Sequence, residues 1–159
     1  MKIRILCVGR MKESYLREAF GEYEKRLGRY CTLQVTEVPD EKTVEDPTPP
    51  QREKILRTEG ARLLEKIPEK AAVWTLEIGG KQLSSEELAE AIEREGVYGS
   101  GELVFVIGGS LGLSPEVTKR ADLHLSFSRM TFPHQLMRVI LAEAIYRSFR
   151  IINKEPYHK

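Results

Sequence analysis

The run Leu103-Val-Phe-Val-Ile107, ended at once by Gly108-Gly109, restricts the fold more than any other stretch of this chain. β-Branched and aromatic residues with no polar residue alternating between them describe a strand covered on both faces, the condition of a parallel sheet packed between helices. Further strand-like runs occur at Lys2–Val8, Cys31–Val38, Ala72–Leu76 and Leu123–Ser126, and helical spacing fills the intervals. Leu16, Phe20, Tyr23 and Leu27 mark a helix that stops at Gly28, a natural residue just past a helix end. A second helix runs from Gln51 to Lys66, ahead of Pro68. Ser84, with Glu87 completing a capping box, opens a third that closes at Gly96. Ser114-Pro115 starts a short fourth, and an apolar stripe from His134 to Ile152 makes the last. Such alternation predicts an α/β fold, a mainly parallel sheet with helices on both faces. Connectivity rules alone favour an unknotted, flavodoxin-like sheet. Pro39 to Pro50, with four prolines, reads as a mobile loop, and Gly79-Gly80 as a turn.

A length of 159 residues suits one domain spanning 1–159. Charged residues make up 31% of the chain but its net charge is only +1, so bulk electrostatics do not draw it to nucleic acid. Clustering differs: from Arg129 onward six Lys or Arg face only Glu143 and Glu155, which makes this the positive end. Cys7 and Cys31 lack metal or redox spacing and read as reduced core thiols of a cytoplasmic protein. Charges interrupt every apolar stretch before the ~18 residues that a bilayer span needs, so a membrane is not an expected partner.

Open α/β sheets hold ligands beyond the carboxyl ends of their strands. Two such ends carry suitable loops, Gly108-Gly-Ser-Leu-Gly112 and Phe127-Ser-Arg-Met-Thr-Phe132. The first is neither GxGxxG nor a phosphate-cradling P-loop, and alone it describes a tight turn needing positive φ. The second sets hydroxyls and backbone polar groups beside Met130 and Phe132, a lining suited to an aromatic ring with polar edges, such as adenosine. The histidines are His124, His134 and His158, without metal-binding spacing, so no metal is expected. His124 reads as packed or hydrogen-bonded in its strand, and His134 as support for the loop before it. The ending Tyr157-His158-Lys159 reads as a fraying terminus. The breadth of the last helix's stripe, with Ala142 and Ala144 interleaved, leaves room for a second copy of the chain.

At Val104–Leu113 and Leu123–Arg138 the sequence resembles the SPOUT methyltransferases. With Tyr23-Glu-Lys-Arg-Leu27, Val38-Pro-Asp40 and the ending Pro156-Tyr-His158, it is similar throughout to the ribosomal RNA large subunit methyltransferase H family. The resemblance implies S-adenosylmethionine as cofactor and methylation of N3 of a pseudouridine in 23S rRNA of the assembled ribosome. It also implies a homodimer and a deep trefoil knot near the C-terminus. Carried over by position, it puts cofactor contacts at Leu76, Gly108 and the run Phe127, Ser128, Arg129, Met130, Thr131 and Phe132. Arg129 and Leu111 depart from the pattern that the resemblance implies, which has lysine at the first position and a more polar residue at the second. Gly109 joins the contacts because paired glycines admit a ligand that a β-carbon would block. The acceptor's imide proton must leave, and His158 is the expected base, with Tyr157 stacking on or orienting the nucleobase. Arg138 is expected to stabilise the imide anion or hold a phosphate. The contrasting expectation is a ribosome-binding module that keeps the fold without catalysis.

Overall fold

A computed structural model describes Met1–Lys159. Its elements are β1 (Lys2–Val8), α1 (Ser14–Leu27), β2 (Thr32–Val38), α2 (Pro49–Glu65), β3 (Ala72–Gln82), α3 (Ser85–Tyr98), β4 (Glu102–Ile107), α4 (Pro115–Arg120), β5 (Leu123–Ser126) and α5 (His134–Ile152). Every strand pair is parallel, in the order β2-β1-β4-β3-β5. The expected α/β sheet is present, but a flavodoxin-like order, 2-1-3-4-5, is not: β3 and β4 have changed places.

Period-two alternation splits the core in two. Ile3, Ile5 and Cys7 of β1 and Leu103, Phe105 and Ile107 of β4 pack against Phe20 and Leu27 of α1, Ile92 of α3, and Leu141, Ile145 and Phe149 of α5. Leu6, Val8, Val104 and Val106 face the other way, onto Leu63 of α2 and Val117 of α4. This two-sided covering is why the β4 run has no polar residue. No residue from Leu103 to Ile107 is more than 4% exposed, and each such side chain stabilises the fold by roughly 1.5–3 kcal/mol. Helix α5 lies against both α1 and α3. Its wide apolar stripe is thus occupied within the chain, and the breadth of that stripe does not argue for a second copy.

Several local expectations are corrected. Gly28 has φ −56°, an ordinary helical value, so no left-handed residue ends α1. Helix α2 begins at Pro49 rather than Gln51, because Thr48 and Gln51 form a reciprocal capping box around the two prolines. Helix α3 passes Gly96 and ends at Tyr98. The chain does not turn at Gly79-Gly80. Leu76 and Lys81 both register against Leu125, so the intervening residues bulge out of β3, which then resumes beside β5. A β-carbon at Gly80 would lie 2.7 Å from the His124 carbonyl oxygen, which explains the glycine. The stretch after β2 is pinned by Arg62 donating to the Pro39 carbonyl at 2.9 Å and by the Glu41 N–H donating to Glu59 at 2.9 Å.

Candidate functional site

A cavity of about 690 Å³ opens at the carboxyl ends of β3, β4 and β5, inside the roughly 300–1,000 Å³ range of small-molecule pockets. One wall is the loop Gly108 to Gly112 after β4, and the facing wall is the stretch from Phe127 to His134 after β5. Leu76, Glu77 and Ile78, where β3 bulges, complete it. The exchange of β3 and β4 creates this geometry, because it puts β3 between the two strands that bear the loops.

Of the expected cofactor contacts, Leu76, Gly108, Gly109, Phe127, Ser128, Met130, Thr131 and Phe132 all line this cavity. Arg129 is exposed and does not. The Ser128 hydroxyl accepts from the Met130 N–H at 3.0 Å and the Ser126 hydroxyl donates to the Ser128 carbonyl at 3.1 Å, so the second loop is braced from within. The paired glycines have a packing cause within the protein itself. A β-carbon at Gly108 would sit 2.4 Å from the Gly112 carbonyl oxygen, and one at Gly109 would meet Val8 and Glu59 at 3.2–3.3 Å. Both glycines therefore serve the packing of the turn, and both also line the cavity. Within this loop, positive φ occurs only at Gly112, at 91°.

Two titratable side chains on the wall were not among the expected contacts. Glu77 is the one carboxylate on the cavity wall, and it is held from below: the Thr75 hydroxyl donates to it at 2.5 Å and His124 Nδ1 lies 2.5 Å from the same oxygen. His134, the first residue of α5, also lines the wall. Burial and, next, the Arg138 charge push its pKa below the ordinary histidine value.

The expected catalytic residues do not gather at the cavity. Arg138 is 1% exposed. It donates to Glu37 at 2.7 Å and to the Val8 and Gly9 carbonyls at 3.0 and 2.7 Å, which makes it an internal strut, and its one unpaired nitrogen, Nε, is buried. The tail is folded back rather than frayed. Tyr157 packs edge-on to Tyr146 at 4.9 Å, its hydroxyl donates to Glu143 at 3.0 Å, and Arg147 lies 4.7 Å over its ring. Burial, then Glu143, push the Tyr157 hydroxyl up to about 12, so it stays protonated. His158 lies between Glu86 at 2.7 Å and Arg147 at 3.3 Å. Arg147 stands roughly 20 Å along α5 from His134 at a 1.5 Å rise per residue, and no tail residue lines the cavity. Half of the six basic residues of the positive C-terminal end are paired, through Arg138–Glu37, Arg147–Glu143 and Arg150–Glu155.

A family model described as Predicted SPOUT methyltransferase matches residues 1–158. Curated relatives align end to end. The chain is 54% identical to the ribosomal RNA large subunit methyltransferase H of Ligilactobacillus salivarius and 54% identical to that of Carboxydothermus hydrogenoformans, each over 159 residues and 100% of both chains. The chain belongs to the SPOUT methyltransferases, in the ribosomal RNA large subunit methyltransferase H family. Solved structures agree on the fold. A probable methylase family protein of Haemophilus influenzae superposes with a TM-score of 0.57 at 15% identity, covering 99% of this chain and 70% of the other. A Legionella pneumophila protein, solved with its bound cofactor SAM, superposes with a TM-score of 0.50 at 11% identity, covering 94% and 66%.

Apolar surface from Leu111, Phe127, Met130 and Phe132 faces backbone polar groups of two loops, and Glu77 is a carboxylate on a wall that carries no arginine or lysine. No helix of the chain is long and apolar enough to cross a membrane.

Proposed function

We propose that this chain transfers a methyl group from S-adenosylmethionine to N3 of a pseudouridine in the 23S rRNA of the assembled ribosome, acting as a homodimer without metal. The observation that carries the reading is the cavity walled by two facing loops at the carboxyl ends of β4 and β5, in a chain 54% identical over its length to enzymes named for large subunit rRNA. The family's C-terminal trefoil knot comes with the proposal, and the exchanged strand order is in keeping with it.

The bound cofactor supplies a methyl group already activated on a sulfonium. The protein's own task is to place donor and acceptor in line and to keep water out. Leu76, Phe127 and Phe132 hold the adenine against apolar surface, the braced backbone of the second loop meets its polar edges, and Glu77 offsets positive charge. Ile78 and Met130, 51% and 71% exposed, leave apolar surface at the mouth that a second copy would cover. Tyr157 and His158 are proposed to meet the RNA. Because they lie away from the cavity of their own chain, that role places the tail of one copy beside the cavity of its partner.

Calorimetry with S-adenosylmethionine in EDTA, joined to mass spectrometry of 23S rRNA from cells lacking the protein, tests the proposal. Binding, and loss of one methylated pseudouridine that the purified protein restores on ribosomes, is the expected result. Ribosome binding without cofactor binding would favour the non-catalytic module instead. Deleting Tyr157 to Lys159 should leave cofactor affinity intact and slow transfer by roughly tenfold or more, the loss of about 1.4 kcal/mol of contact with the RNA. An unchanged transfer rate would remove the tail from the mechanism.

A further inference from the structure

We propose that His134, not His158, accepts the proton that leaves the imide nitrogen during methyl transfer. The proposal rests on the cavity being the site of methyl transfer. Three histidines are present, and two have ring partners that oppose the role. His124 Nδ1 lies within hydrogen-bond reach of Glu77 and Thr75. His158 has Glu86 on one ring nitrogen and Arg147 on the other, away from the cavity. His134 alone lines the cavity, no protein group bonds either of its nitrogens, and neither nitrogen is a sealed-off, unpartnered atom.

The surroundings keep that imidazole in the form that can accept. Burial, the largest cause, disfavours the charged ring, Arg138 behind it on α5 and Lys12 on the loop after β1 act in the same direction, and Asp40 after β2 opposes them. Glu77 is the remaining titratable side chain on the cavity wall. At neutral pH the ring is therefore an uncharged base, as the step needs. The electron pair of the N3–H bond becomes the pair that attacks the methyl carbon. The carbon–sulfur bond breaks with its electrons left on sulfur, and the proton goes to the imidazole. One positive charge is thereby moved from sulfur to His134, with no net change in the cavity.

The test uses ribosomes from cells lacking the protein, S-adenosylmethionine, and single-turnover rates across pH. The parent rate should rise below the ordinary histidine range and level off by neutral pH. His134→Asn should bind S-adenosylmethionine as the parent does, transfer at least ~10²-fold more slowly, and lose the levelling-off, its rate climbing with pH as the imide ionises unaided. Added imidazole should restore part of the rate of His134→Gly. A variant rate within twofold of the parent, or a rate loss matched by lost cofactor affinity, would overturn the assignment. A second reading needs no variant: binding of S-adenosylhomocysteine should shift the NMR resonance of His134, and an unmoved resonance would also overturn it. If the parent transfers no methyl group to ribosomes, the proposed function itself fails, and this assignment fails with it.

Discussion

Arg138→Met is the sharpest perturbation of the scaffold that shapes the cavity. The guanidinium crosses from the first turns of α5 to the carboxyl ends of β1 and β2 and bonds three acceptors there. Methionine keeps the apolar stem but leaves the Val8 and Gly9 carbonyls without a charged donor, and hydrogen bonds to charged groups are worth about 1.5–3 kcal/mol each. The Glu37 side chain adds little to the loss, because at 37% exposure it returns to water. Removing the cost of burying a cation gives part of the energy back. The net expectation is a destabilisation of about 3 kcal/mol, and a fall in Tm of about 6–12 °C for a chain of this size. Urea titration followed by circular dichroism measures it, with the slope unchanged if only stability is affected. A midpoint equal to the parent's would refute the strut, and with slowed methylation it would return Arg138 to the substrate.

Two more expectations follow from single residues. Burial, above other causes, raises the Glu59 pKa, so the folded chain holds that proton at a pH where the unfolded chain has released it. Its contribution to stability is thus lost as pH rises from the ordinary carboxylate value through the raised one. Glu59→Gln should flatten that part of the stability–pH curve and leave the protein more stable at neutral pH, and a variant less stable at neutral pH would show that the carboxylate form is needed. Gly108→Ala should lower stability by about 1–3 kcal/mol, as overpacking does, and weaken cofactor binding with it, because the new carbon meets the Gly112 carbonyl oxygen. Unchanged calorimetric affinity and Tm would contradict this.

The fold class was legible because each strand and helix announces itself locally. The run at β4 and the Ser84–Glu87 capping box carry their own geometry. Strand order was not legible, since no local residue pattern separates β4 beside β1 from β3 beside β1. The bulge in β3 was hidden for a related reason: Gly79-Gly80 is as good a turn as a close approach to β5, and only the neighbouring strand decides. The loops at the cavity were readable from their polar and apolar mixture. The tail was not, because Tyr157 and His158 are anchored by Glu143, Arg147 and Glu86, charges that in sequence look like any solvated helix face.

The exchange of β3 and β4 also bears on when the protein becomes competent during its synthesis. Ile3 pairs with Leu103 and Thr75 with His124, so most of the sheet joins distant parts of the chain, and such pairing is slow to nucleate. The cavity waits longest, because its far wall and the first turn of α5 are made after every strand. A nascent chain stalled before α5 can bury apolar residues yet lacks the part of the cavity wall that His134 and Met137 supply. Ligand affinity is therefore a reporter of completed folding, and it will disappear in partly folded variants that still hold most of their secondary structure.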